Sequence, residues 1–97
     1  MNSKIHVPEV DDFLNAVLTL KTTDEGYAFF EDICTVNELL AIAQRYAVAR
    51  MLREKKTYLE ISEATGASTA TISRVNRSLN FGNDGYDLTF KRLEEKS

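Results

Sequence analysis

The apolar residues of this chain recur at helical spacing along almost its whole length, and this periodicity limits the fold more than any other feature. The clearest stripe keeps the i, i+3, i+4, i+7, i+8 spacing of one helix face and consists of Val10, Phe13, Leu14, Val17 and Leu18. The 97 residues include only four glycines and one proline. That is too few for an all-β fold, which needs a turn about every 8–12 residues. We therefore predict an all-α fold.

Residues that cap or break helices divide the sequence into about six predicted helices. Pro8 suits the first turn of a helix, and Thr23 with two acidic residues behind it is predicted to cap the second. Thr35 and Glu38 have the spacing of a capping box. The run NFGNDG at 80–85 is the strongest turn signal. The predicted helices begin at Pro8 and Thr23 and then cover about residues 36–54, 58–65, 69–79 and 86–95.

A chain of this length corresponds to one domain, so we predict a single helical domain over residues 1–97. Cys34 is the only cysteine and His6 the only histidine, which leaves neither an internal disulfide nor a metal site. A small domain without these gains stability from a partner chain. The long third helix has more apolar surface than its short neighbours can cover, and we therefore expect a homodimer. Its stripe comprises Val36, Leu39, Leu40, Ala43, Ala47 and Met51.

Membrane and enzyme functions find little support in the sequence. No run of about 18 apolar residues could span a membrane, and the amino terminus lacks an apolar signal core, so we expect a soluble cytoplasmic protein. No second cysteine or nearby histidine supports Cys34 as a nucleophile, and His6 lies in a predicted frayed terminus. We predict no enzymatic activity and no bound cofactor.

The charges are distributed unevenly around a net value of −3. Residues 1–44 carry two basic residues against eight acidic ones, whereas residues 45–79 carry seven basic residues against three acidic ones. Asymmetry of this kind suggests that the basic middle binds a polyanion. A solvated helix surface would produce the same pattern, so charge alone leaves both interpretations open.

The segment from Tyr58 to Leu79 has the pattern of a DNA-binding helix-turn-helix. Two short helices must pack steeply through a short turn, and Gly66 lies where a left-handed backbone is needed. Apolar residues that would fill the contact between and beneath the two helices are Ile61, Ile72 and Val75.

The second helix of this motif divides into an apolar face and a small, hydroxylated, basic face. Short side chains at its start would let the backbone approach base edges in a DNA groove. Ser68 is the predicted N-cap, leaving backbone amides for a phosphate. The residues on the polar face are Thr69, Ala70, Ser73, Arg74 and Arg77. The alternative is a dimeric protein-interaction module that keeps the motif only as packing.

The run GASTATISRVNRSL, Gly66 to Leu79, resembles the recognition region of the Trp repressor family. Within that family it is most similar to the Trp-repressor-related branch of the YerC/YecD type. The similarity covers about residues 36–80; the amino-terminal part resembles the family only in helix layout. The resemblance implies six helices in an intertwined homodimer and regulation of transcription, with repression as the first candidate, through operator binding on double-stranded DNA; the sequence leaves open whether the regulator represses or activates.

Carried over residue by residue, the resemblance implies which side chains contact the operator. Thr69, Ala70 and Ser73 would face the bases, while Tyr58, Thr71 and Arg77 would lie nearer the phosphates. The two-fold symmetry of a dimer implies a palindromic operator with half-sites about one helical turn apart.

The effector pocket of the family is matched only in part. Family members hold tryptophan between two arginines beside a glycine. Arg74 matches one arginine, but Gln44 stands at the other position, with Arg45 next to it, and Val75 replaces the glycine. These differences argue against tryptophan and leave open a different small ligand or none.

Overall fold

Helix-capping residues divide the chain into its elements. The computed structural model describes residues 3–96, which form six α-helices, a short 3-10 helix at Ser3–Ile5 and no β-strand. The α-helices are α1 (Pro8–Val17), α2 (Thr23–Ile33), α3 (Val36–Arg53), α4 (Tyr58–Thr65), α5 (Thr69–Phe81) and α6 (Gly85–Lys96). The predicted all-α class is confirmed.

The caps of α2 and α3 are both formed by threonines. The predicted capping box before α3 is present: Glu38 N–H donates to Thr35 Oγ1 at 3.1 Å, and Thr35 N–H donates to Glu38 Oε1 at 2.8 Å. The prediction for α2 was wrong by one residue, because Thr22 rather than Thr23 accepts from Glu25 N–H, at 3.1 Å. The side chain of an N-cap residue bonds to the amide three residues later, and Thr22 stands three residues before Glu25.

Helix α5 continues two residues beyond its predicted end. Asn80, which the sequence assigned to a turn, donates its side-chain amide to Asn76 Oδ1 at 3.1 Å, along the helix. The helix ends at Phe81, and Gly82 is its C-cap, whose N–H donates to the carbonyl of Ser78 at 2.9 Å. Asp84 then takes a left-handed conformation with φ 61°, and the chain enters α6. The predicted turn is therefore shorter than the NFGNDG run.

Contacts along the chain group the residues into two compact units, one up to Leu39 and one from Leu40. The first unit contains three phenylalanine rings in mutual contact. Phe13 stacks on Phe29 with ring centroids 6.0 Å apart, and Phe30 meets both rings edge-on at 6.4 and 5.5 Å. Edge-on and stacked rings are the favoured geometries of aromatic pairs.

The second unit contains the buried core. Every described residue that is fully buried lies in it, on α3, α4, α5 or the turn between the last two helices. These residues are Val48, Ala49, Ile61, Ala67, Ile72, Val75 and Leu79. Helix α6 adds Tyr86 and Phe90, which pack against this core and against the ring of Tyr46. The helix-turn-helix of α4 and α5 therefore rests on the carboxyl-terminal half of α3.

Much of the apolar surface of α3 lies outside this core. Only Val48 and Ala49 of its 18 residues are buried, while Val36 is 74% exposed, Leu40 61% and Ile42 47%. Despite its length, neither α3 nor any other helix within residues 3–96 is apolar enough to cross a lipid bilayer.

Candidate nucleic-acid interface

The turn between α4 and α5 is built around Gly66. Its backbone is left-handed, with φ 74° and ψ 4°, and its N–H donates to the carbonyl of Ser62 at 2.8 Å. The hydroxyl of Thr65 donates to the carbonyl of Ile61 at 2.7 Å and accepts from Ala67 N–H at 3.1 Å. Glycine is the residue that takes this conformation without a steric penalty, as the sequence predicted.

Ser68 caps α5, in agreement with the prediction. Its Oγ accepts from Thr71 N–H at 3.1 Å and donates to Thr71 Oγ1 at 3.1 Å. The amides of Thr69 and Ala70 belong to the first turn, where an α-helix provides no carbonyl partner. Together with the helix dipole, these amides make the start of α5 favourable for an anion such as a phosphate.

Helix α5 presents a polar outer face opposite its buried face. Ile72 is 0% exposed, Val75 1% and Leu79 4%. The outer face is exposed to solvent and consists of Thr69, Ala70, Ser73, Arg74 and Arg77. The predicted division of this helix into two faces is therefore present in the structure.

The two remaining residues that the resemblance placed near phosphates, Tyr58 and Thr71, do not belong to this outer face. Tyr58 is the first residue of α4 and is 38% exposed. Thr71 is half-buried, and its hydroxyl is engaged by the Ser68 cap. Thr71 is thus less available to an outside partner than its neighbours on the outer face.

A capping box that the sequence reasoning missed holds Tyr58 at the start of α4. Thr57 N–H donates to Glu60 Oε1 at 2.9 Å, and Glu60 N–H donates to Thr57 Oγ1 at 3.1 Å. The hydrogen bond from the Thr57 backbone lowers the pKa of Glu60, which keeps the carboxylate ionised beside the helix N-terminus. The Thr-x-x-Glu spacing was a readable signal for this cap.

The four residues of the predicted effector pocket lie in different surroundings. Gln44 is partly buried, and its side-chain amide donates to the carbonyl of Thr65 at 3.0 Å. Arg45 is half-buried on α3, and Arg74 lies on the exposed face of α5. Val75 is buried in the core. The amide of Gln44 and the side chain of Val75 are thus both used inside the protein.

Arg53 has a structural partner that the sequence did not reveal. Its guanidinium forms two bonds with the Asp87 carboxylate, Nε to Oδ1 at 2.9 Å and Nη2 to Oδ2 at 2.8 Å. Nη2 also donates to the carbonyl of Leu79 at 3.2 Å. The hydrogen bond from Arg53 lowers the pKa of Asp87. Arg53 is one of the seven basic residues counted in the middle of the sequence, and its charge is paired within the protein.

Sequence and structure comparisons identify the family. A model of the Trp repressor protein matches residues 8–94. The chain belongs to the Trp repressor family. It is 53% identical to the uncharacterized protein YerC of Bacillus subtilis (strain 168) over 92 residues, which cover 95% of this chain and 88% of YerC.

Solved structures of this family share the fold. A TrpR-like protein from Eubacterium eligens ATCC 27750 superposes with a TM-score of 0.93 at 61% identity, covering 96% of both chains. A candidate Trp repressor from Staphylococcus aureus superposes with a TM-score of 0.91 at 46% identity, covering 95% of this chain and 92% of the other. The resemblance read from the recognition region is confirmed, and it extends well beyond residues 36–80.

Proposed function

We propose that this chain is a sequence-specific transcriptional regulator, a cytoplasmic repressor that binds operator DNA as a homodimer and has no enzymatic activity. The observation that carries the proposal is the outer face of α5. It displays short hydroxylated side chains and two arginines, while the opposite face is fixed in the core. Membership of the Trp repressor family supports the same function.

In the proposed complex, α5 enters the major groove by its amino-terminal end. Thr69, Ala70 and Ser73 are short enough to let the helix backbone approach base edges, where hydroxyls form hydrogen bonds and methyl groups touch thymine. The cap at Ser68 and the free amides behind it meet a phosphate. Arg77, further along the same face, binds a phosphate and fixes the register.

The proposed dimer is supported by the apolar surface of α3. Val36, Leu40 and Ile42 are largely exposed in the single chain. Burial of such side chains contributes about 25 cal/mol per Å² of apolar surface removed from water, so a second copy that covers them stabilises both chains. A two-fold dimer presents two copies of α5, and its operator is a palindrome with half-sites about 34–36 Å apart.

The first test is selection of bound sequences from a random duplex library at physiological salt, with and without tryptophan. We expect an enriched palindrome in both conditions, since Gln44 and Val75 are used inside the protein. Enrichment only with tryptophan would show that the effector pocket is functional. No enrichment in either condition would contradict the proposal and favour a protein-interaction module.

Arg77→Ala tests the proposed phosphate contact. Each subunit loses one contact, so the slope of log affinity against log salt should become shallower by about two for the dimer. Arg92→Ala, which removes an exposed positive charge from α6, is the matched control and should leave the slope near the wild-type value. An equal change in both variants would show that only net charge matters.

A further inference from the structure

Two side chains of α3 bond to the segments before and at the end of α5: one to the turn that precedes this helix and one to its last turn. Gln44 donates to the carbonyl of Thr65, the last residue of α4, at 3.0 Å. Arg53 donates to the carbonyl of Leu79, near the end of α5, at 3.2 Å. These anchors are nine residues apart, or about 13–14 Å along the axis of α3. The buried contact of Val48 and Ala49 lies between them.

Anchors at both ends determine the direction of α5 as well as its position. The hydrophobic effect is non-directional, so hydrogen bonds add a directional restraint to the one that side-chain packing provides. A hydrogen bond has directional preferences, and two of them at opposite ends oppose rotation about the core contact. The outer face of α5 is thereby held at a defined angle to α3.

Each anchor is itself braced. Thr65, whose carbonyl accepts from Gln44, also donates its hydroxyl to the carbonyl of Ile61 and accepts from Ala67 N–H, so this anchor is bonded to both sides of the turn. The guanidinium of Arg53 is held by two bonds to Asp87 on α6. A charged, bidentate pair of this kind fixes the geometry of the guanidinium more strictly than one bond would.

We propose that Gln44 and Arg53 are positioning residues that hold α5 in its DNA-binding orientation, so that operator binding requires no small-molecule effector. The side-chain amide of Gln44 forms a polar link between α3 and the turn, so no bound ligand is needed to make this link. Val75, 1% exposed, belongs to the same buried core as Val48 and Ala49 of α3. The inference rests on the proposed function, because it concerns the orientation of the proposed recognition helix.

The test uses the chain of residues 1–97 as a purified protein, without added ligand. Gln44→Met keeps the length of the side chain but removes the donor, and Gln44→Lys restores a donor. Arg53→Met removes the second anchor. Arg50→Met removes the same charge from an exposed position of the same helix and serves as the control. Affinity is measured for the selected operator and for a scrambled duplex, with and without tryptophan in excess.

The wild type should bind its operator equally well with and without tryptophan. Gln44→Met should weaken operator binding roughly three- to tenfold, the effect of one lost hydrogen bond, and leave the scrambled duplex unaffected. Arg53→Met should act in the same direction, Gln44→Lys should recover most of the affinity, and Arg50→Met should change both duplexes equally. A loss of the same size on both duplexes for Gln44→Met would overturn the proposal, as would wild-type binding that appears only with a ligand.

Hydrogen exchange of the free protein separates this inference from the proposed function. If the anchors act as described, Gln44→Met and Arg53→Met speed exchange of amides in α4 and α5 more than their effect on global unfolding explains. Exchange at wild-type rates in both variants would show that Gln44 and Arg53 do not restrain α4 and α5, whether or not the protein binds DNA. Failure of the wild type to bind any duplex would instead overturn the proposed function.

Discussion

Replacement of Gly66 by alanine should change the backbone strain of the turn without creating a steric clash. No heavy atom lies within 4 Å of the position that a Cβ would occupy there, so Gly66→Ala creates no clash. The cost is the left-handed conformation at φ 74°, about 1–2 kcal/mol for a residue with a Cβ. We expect a loss of that size in the free energy of unfolding, measured by urea denaturation at fixed protein concentration.

Gly26→Ala is the matched control for this prediction. Gly26 lies inside α2, again with no heavy atom within 4 Å of the Cβ position, and its φ is not left-handed. Alanine at a helix interior is better than glycine by about 0.5–1 kcal/mol, so this variant should be more stable than the wild type. Destabilisation by both substitutions would contradict the role assigned to the turn.

Asp87 should contribute to the pH dependence of stability. Arg53 lowers its pKa in the folded chain, so the contribution is fully present above the unfolded pKa, near 4, and is lost as pH falls through the folded pKa. Asp87→Asn should therefore lower stability at pH 7 and flatten the decline below about pH 5. Glu95→Gln, at an exposed position of the same helix, should leave the decline in place. Urea denaturation across pH measures both.

At the scale of elements, α4 is the helix most dependent on its cap. It has eight residues, too few for a stable helix in isolation, and its capping box joins Thr57 to Glu60. Thr57→Ala should lower the free energy of unfolding by about 1 kcal/mol. Thr23→Ala, at the first residue of α2, should be nearly neutral because Thr22 is the cap of that helix. Equal losses would show that hydroxyl removal, not capping, causes the effect.

The helices and the turn could be predicted from the sequence because each depends on residues close together in the chain. Apolar spacing placed Ile72 and Val75 in the core, and the position of Gly66 located the turn. Helix ends were less well predicted, since adjacent threonines compete for one cap and the glycine-rich run after Asn80 does not show how far helical bonding persists.

Links between distant residues had no such signal. Arg53 and Asp87 are 34 positions apart, and Gln44 and Thr65 are 21 apart. Their pairing depends on how α3 meets the other helices, which periodicity does not specify. From the sequence, Arg53 was therefore only one of the basic residues of the middle segment, and Gln44 was only a position that departs from the ligand pocket of the family.

At the scale of the whole molecule, the exposed face of α3 should decide the oligomeric state. Leu40 is 61% exposed in the single chain, so a charge there is tolerated by one chain but not by an apolar interface. Leu40→Glu should convert the expected dimer to monomer in sedimentation equilibrium. Leu59→Glu places the same charge at a 68% exposed leucine of α4 and should remain dimeric. A dimeric Leu40→Glu variant would contradict the assignment of this face.

The small share of α3 that is buried, two residues of 18, has a consequence for the protein in the cell. The proposed dimer would follow mass action, so dilution would shift it toward single chains that expose this face of α3 to water. Newly made chains at low abundance would be the most exposed to proteases. Such a regulator would have a threshold: below a certain number of copies per cell, degradation removes it before it can occupy a site.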